Sequence, residues 1–327
     1  MMQVLTSGAM NLVQDRGRAG HLHLGVCRGG AMDPLALDYA NALVGNAPDA
    51  AGIEITMFPF KLRFDQDVVF ACTGGDSRIE LDGVLLAPWW SRGARAGQTL
   101  VVHRPQRGMR MYLGVSGGVD VPLLLGARST DLKAGFGGMD GRGLKRLDTL
   151  PLGQQPEAAM PGAGLGCVPR QVPELLRQLQ DGCVTVRVLP AAEFEEFTPD
   201  STERLFGEPW MVTPDANRQG YRLEGAVALQ MSKRRELLSH GIVPGVVQVP
   251  PAGQPIIQLA EANTCGGYPK IATVIEADLW RLGQVPSGCA IRFERVDVNA
   301  AVAALKEQVH ALQALRSHLP MVRGRLQ

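Results

Sequence analysis

The chain has 327 residues, enough for two domains of ordinary size or one large one, and with 45% hydrophobic and 20% charged residues it can bury a sizeable core. Its 33 basic and 32 acidic residues leave a formal net charge of +1 without a Lys/Arg-rich run, which argues against nucleic acid as a partner. No apolar run approaches the roughly 20 residues that span a bilayer, so a soluble protein away from membranes is expected.

The six cysteines, Cys27, Cys72, Cys167, Cys183, Cys265 and Cys289, lie far apart with no C-x-x-C. The opening MMQVLTSGAMNLVQD lacks a charged segment followed by an apolar core. Both features point to reduced thiols in a cytoplasm. The 39 glycines and 22 prolines are spread along the chain, as many short strands joined by turns would require.

Residues 2–26 predict a strand, a turn at Asp15–Gly20 and a second strand over the alternating His21–Val26. Asp33 is a good N-cap and Pro34 fits the first helical position. Leu35, Leu37, Ala40, Leu43 and Val44 then share a helical face until Gly45-Asn46. From Ile53 to Val119 short strands follow at 54–56, 61–64, 68–72, 78–81, 99–102 and 109–115, with Asp82-Gly83 as a hairpin turn. This spacing predicts a β-barrel or sandwich, not alternating β and α. Residues 116–153 are glycine-rich but hold no phosphate-binding loop, and Lys133 is the residue there suited to a polar site.

A proline- and glycine-rich segment, 154–174, marks a boundary between domains 1–175 and 176–327. Cys183–Pro190 then reads as a clean alternating strand, followed by helical pieces at 193–197 and 202–206 and strands at Trp210–Val212 and Ala290–Val296. From Asp297 to about Ser317 the pattern is helical. Val298, Val302, Leu305, Val309 and Leu312 form a stripe expected to dock on its own domain.

Within the second half, QVPPAGQPIIQLAEANTCGGYPKIA (248–272) mixes an apolar strand with Gln248, Glu261, Asn263, Thr264, Tyr268 and Lys270 around Gly266-Gly267. Polar loops carried on rigid strands commonly build sites. If the exit through Tyr268-Pro269-Lys270 is extended, Tyr268 and Lys270 project to one side, and with Glu261 they could enclose a small polar substrate. A surface ion pair between Glu261 and Lys270 remains the alternative. The sequence holds no G-x-S-x-G, H-E-x-x-H or strand-linked G-x-G-x-x-G, and its one close histidine pair, His21 and His23, reads as ordinary surface, so no metal site is expected. It also lacks the lysine setting used for biotin attachment, so any biotin would be carried by another chain.

The segments VQDRGRAG, GAMDPLALDYANALVGN, STDLKAGFGG, NRQGYRLEG and TCGGYPKIA resemble, from about Val4 to Val296, a family of four known kinds. These are the C subunit of bacterial 5-oxoprolinase, the sporulation-kinase-inhibitor antagonist, allophanate hydrolase subunit 2 and the carboxyltransferase region of urea carboxylase. Cys27 and Cys265 depart from the proline and threonine of the pattern. The resemblance implies a mainly β fold with few helices: two β-barrel-like domains, one cyclophilin-like, and a C-terminal helix. It implies a subunit that, with subunits A and B and ATP held mainly by a partner, opens 5-oxoproline to L-glutamate. Lys270, Tyr268 and Glu261 would then be catalytic, and Asn263, Thr264, Arg222, Lys133 and Gln248 would bind substrate. Two alternatives stay open: a carboxyltransferase component acting with carboxybiotin on a urea-like substrate, and a regulatory binder of a histidine-kinase inhibitor.

Overall fold

The computed structural model describes residues 1–155, 164–233 and 236–325. They form two compact units, one of Met1–Arg18, Gly29–Val172 and Val309–Gln327, the other of Ala19–Arg28 and Pro173–Gln308. Strands dominate both. Five α-helices occur among the described residues: α1 (Pro34–Val44), α2 (Val172–Gln180), α3 (Pro199–Gly207), α4 (Leu279–Leu282) and α5 (Val298–Arg325).

The first unit contains two antiparallel sheets. One runs in the order Thr149–Leu150, Met2–Thr6, Phe60–Phe64, Thr99–Val102, Ile79–Leu81, Val84–Leu86; the other runs Leu12–Gln14, Gly52–Ile55, Arg107–Val115, Val68–Asp76, Trp90–Ala94. Alternate residues of both sheets meet in one core, in which Val4, Leu62 and Leu100 face Ile53, Met111 and Leu113, and Phe64 stacks on Phe70 with ring centroids 5.3 Å apart. The hairpin at Asp82-Gly83 has φ of 48° and 82°, the paired positive values that let a two-residue turn match the strand twist.

Helix α1 lies on the other face of the five-stranded sheet. The Thr73 hydroxyl donates to the Ala36 carbonyl at 2.7 Å, and a Cβ at Gly114 would come within 3.0 Å of Ala40, so glycine is what allows this approach. The helix starts where capping chemistry says it should: Asp33 Oδ1 accepts the Ala36 N–H at 2.8 Å, and Gly45 closes it with φ of 84°. Replacing Asp33 by Ala should therefore lower stability by about 0.5–2 kcal/mol. Chemical denaturation checks this, and an unchanged midpoint would show that the cap contributes nothing.

The second unit is built on a closed seven-stranded barrel in the order Cys183–Pro190, Lys270–Val274, Val246–Gln248, Ile256–Gln258, Gly220–Glu224, Trp210–Val212, Ala290–Arg295. It closes through a parallel pairing of its first and last strands. Val184, Val186 and Val188 point inward and are fully buried, as the alternation of that strand predicts.

Two expectations from sequence are corrected, and two elements were not anticipated. His21–Val26 is not a strand but holds a short 3-10 turn at Leu22–Leu24, which Gly25, with φ of 78°, closes by donating its N–H to the Leu22 carbonyl at 3.0 Å. The strand Trp90–Ala94 was hidden by turn-like residues, and α2 by its own Pro173, which the first helical turn accommodates. The apolar stripe of α5 does not dock along its length. Val298, Val302, Leu305 and Val309 are 64%, 44%, 37% and 42% exposed, and the packing falls to the other end, where Leu319 is buried and Arg316 Nη1 donates to the Asn46 carbonyl at 2.7 Å.

Candidate functional site

The barrel register decides which polar side chains meet. Val247 and Ile257, paired across adjacent strands, are fully buried and point into the barrel, so their neighbours Gln248, Ile256 and Gln258 point outward. Arg222 pairs with Ile256, Ile256 with Gln248, and Gln248 with Lys270 where the ladder shifts by a bulge. Arg222, Gln248 and Lys270 thus lie in one row across the outer face, with Arg222 about 14 Å from Lys270 at three strand spacings.

A two-stranded ribbon, His240–Gly241 paired with Cys265–Gly266, lies against this row. A Cβ on Gly266 would fall 3.1 Å from Gln248 Nε2 and 2.7 Å from Ile242 Cδ1, so glycine lets the ribbon close over the amide. Beneath it Gln258 Nε2 donates to Gln248 Oε1 at 2.9 Å, and Gln248 Nε2 donates to the Tyr268 carbonyl at 3.3 Å.

Lys270 is only 5% exposed. Its backbone N–H donates to Glu193 Oε2 at 2.8 Å, and its ammonium meets His240 Nε2. His240 Nδ1 is 3.0 Å from the Leu238 carbonyl; donating there makes Nε2 the acceptor that faces the lysine. Glu193 Oε1 lies 3.6 Å from the same Nε2. Burial lowers the pKa of Lys270, and the charge of Glu193 opposes that shift.

The other expected site residues are distributed around this cluster. Glu261 is buried, but its carboxylate is gripped by Arg218, Nε to Oε1 at 2.6 Å, and its N–H donates to the Arg218 carbonyl at 3.0 Å. Its charge is therefore balanced by Arg218, while Lys270 turns to His240 and Glu193. Tyr268 is 47% exposed and contributes its backbone carbonyl to the wall. Asn263 is exposed, and half-buried Thr264 ties the loop to the ribbon by accepting the Ile242 N–H at 3.0 Å on its carbonyl. Arg222 is exposed and donates to the Asp215 carbonyl at 3.0 Å, at a shallow depression lined also by Pro214, Ala216 and Asn217. Lys133 belongs to the first unit, exposed in the turn between Asp131 and Phe136.

With this geometry established, similarity to known proteins identifies the lineage. The family described as "Carboxyltransferase domain, subdomain A and B" matches residues 24–295. The chain belongs to this carboxyltransferase-domain family. It is 41% identical over 315 residues to the C subunit of the 5-oxoprolinase of Escherichia coli (strain K12), covering 96% of this chain and 97% of that one. It is 38% identical over 316 residues to the C subunit of the Haemophilus influenzae 5-oxoprolinase, covering 97% and 98%. Among solved structures, the urea amidolyase of K. lactis superposes with a TM-score of 0.86 at 28% identity, over 96% of this chain and 20% of that one.

Sequence reasoning missed Glu193 and His240 in this carboxyltransferase-domain chain. They stand 77 and 30 residues from Lys270 and belong to no spacing pattern; only the two-residue ribbon and the first barrel strand bring them together. The described residues contain no group of three or more His, Cys, Asp or Glu placed to hold a metal. None of their helices is long and apolar enough to cross a membrane. The N-termini of α1 and α3 are already capped by Asp33 and Thr198, whose side chains accept from Ala36 and Ser201 N–H groups, so neither offers a phosphate cradle.

Proposed function

We propose that this chain is the C subunit of an ATP-dependent 5-oxoprolinase of the cytoplasm, which opens the lactam of 5-oxoproline to L-glutamate together with subunits A and B. The observation that carries this reading is reciprocal coverage: the match takes in 97% of the E. coli 5-oxoprolinase chain but only 20% of the K. lactis urea amidolyase chain. ATP, held mainly by a partner, supplies the phosphoryl group that activates the lactam oxygen. Residues of this chain bind and orient the amide. Half-buried Gln258 is the amide of the pair that meets a lactam, and Gln248, covered by the ribbon, holds it in place. The Lys270 ammonium stabilises negative charge developing on oxygen, and His240 accepts or returns a proton at Nε2. Glu261 enters as a positioning residue with Arg218, since its carboxylate is taken up at 2.6 Å by a buried guanidinium and its backbone is tied to the same residue. Tyr268, Asn263, Thr264 and Arg222 line the approach to the row.

The test is reconstitution. Coexpressed with subunits A and B, the chain should support ADP release that depends on 5-oxoproline, and alone it should show no turnover. Robust turnover by the isolated chain would remove the division of labour proposed here. A second reading is favoured by the fold shared with urea amidolyase: a carboxyltransferase component acting on a urea-like substrate with biotin carried by another chain. It predicts urea-dependent rather than 5-oxoproline-dependent ATP cleavage, and only with a biotinylated partner.

A further inference from the structure

The turn after the first barrel strand carries a buried carboxylate to which the proposed chemistry gives no part. The ladder between Cys183–Pro190 and Lys270–Val274 ends at the pair Pro190 and Ala272, and the chain turns away after the Ala191 N–H donates to the Ile271 carbonyl at 3.1 Å. On the other side of Lys270 the pairing with Gln248 follows a shift in register. Lys270 thus lies beyond the end of one ladder and at the bulge of the other, and Glu193 replaces the missing pairing. The Glu193 N–H donates to the Lys270 carbonyl at 3.2 Å, and Glu193 Oε2 accepts the Lys270 N–H at 2.8 Å, a side-chain oxygen standing where a strand carbonyl would be. For that purpose the amide oxygen of a glutamine would serve as well as a carboxylate.

The second carboxylate oxygen is what the ladder leaves unused. Glu193 is 7% exposed, and its Oε1 lies 3.6 Å from His240 Nε2, the atom that also meets the Lys270 ammonium. From this geometry we infer that Glu193 is a positioning residue for Lys270 and His240: one oxygen fixes the lysine on the barrel, and the other supplies the counter-charge for a proton held at either Nζ or Nε2. The role rests on the functional reading proposed above, in which the ammonium faces charge developing on the lactam oxygen and His240 handles a proton. A buried cation without a counter-charge is unfavourable, and here the charge comes from outside both the ribbon and the strand of Lys270. Among the described residues, the charged or titratable groups facing the ammonium are Glu193 from this turn and His240 from the ribbon. Gln248 on the adjacent strand and Gly266, paired with His240, carry no charge, and Glu261 is taken up by Arg218.

Glu193→Gln tests this, because glutamine keeps the oxygen that accepts the Lys270 N–H and removes only the charge. In the complex with subunits A and B the variant should lose kcat by about tenfold or more while KM stays within about twofold, and the alkaline limb of kcat should move to lower pH. The direction follows from the burial that lowers the pKa of Lys270, a shift that the charge of Glu193 opposes. Glu193→Asp, which keeps the charge on a shorter arm, should retain more of kcat than Glu193→Gln; a purely structural role gives the reverse order, since glutamine alone keeps the length. A readout independent of turnover is the NMR titration of isotope-labelled lysine Cε atoms in the full chain, where the signal missing from Lys270→Met identifies Lys270. Glu193→Gln should move that titration to lower pH and leave the other lysines unmoved, which also reports an intact fold. An unchanged Lys270 titration, an unshifted alkaline limb, or the reverse order of the two variants would each overturn the inference and leave Glu193 as part of the ladder. A wild-type complex without 5-oxoproline-dependent ADP release would remove the functional reading instead, and the titration of the chain alone would still decide whether Glu193 supplies the charge at Lys270.

Discussion

Lys270→Met should cut turnover of the assembled complex at least tenfold, a loss of about 1.4 kcal/mol of transition-state stabilisation, while folding and assembly survive. Methionine keeps the unbranched length that fills the space beneath the ribbon and removes only the charge. What it removes is the ammonium that stands on the outer face of the barrel between Gln248 and His240, where partial burial strengthens its field. The pKa of Lys270 is lowered by that burial, so between the lowered value and the ordinary 10.5 the folded chain holds fewer protons than the unfolded one. Within that window this group makes the fold more stable as pH rises; below it the cost of burying the charge is paid in full. The wild-type melting temperature should therefore gain on that of Lys270→Met as pH climbs toward 10.5. Near-normal kcat in the variant would remove Lys270 from the reaction, and a pH-independent difference in melting would show that burial does not perturb it.

Local chemistry made much of this fold legible. Helix α1 is announced by Asp33, Pro34 and Gly45 because its cap, first turn and stop each need a particular residue type, and all three are found in those roles. Asp82-Gly83 and the alternating Cys183–Pro190 are legible for the same reason: a turn with two positive φ values and a strand with one buried face restrict the sequence directly. His21–Val26 misled because alternation alone does not provide a partner strand. The site was legible in part. Lys270, Gln248 and Arg222 share a row because strand pairing preserves outward faces from one strand to the next. Glu193 and His240 reach Lys270 through a ribbon and a bulge, features set by tertiary packing and silent in any single stretch. The extension of Tyr268 and Lys270 to one side treated the strand as regular up to Lys270, whereas the ladder shifts at the Gln248 pairing, and Tyr268 remains largely exposed where Lys270 is buried.

The second large effect concerns Glu261. Glu261→Ala should destabilise the chain by about 3–5 kcal/mol, because it removes from the buried Arg218 guanidinium the buried carboxylate it holds at 2.6 Å. Against a typical total of about 5–15 kcal/mol, that is a substantial fraction of the stability of the fold. Replacing both partners removes the buried guanidinium as well, so Arg218→Met combined with Glu261→Leu should recover most of the loss; isosteric apolar replacement of a buried pair is often neutral or better. The double-mutant comparison separates two roles. A residue that only fixes the loop carrying Asn263 and Thr264 should give back turnover together with stability when the apolar pair packs well. A residue that acts as the base in lactam opening should leave the double variant stable and inactive, and that outcome would restore Glu261 to the reacting atoms and remove it from the positioning role assigned by its 2.6 Å contact with Arg218.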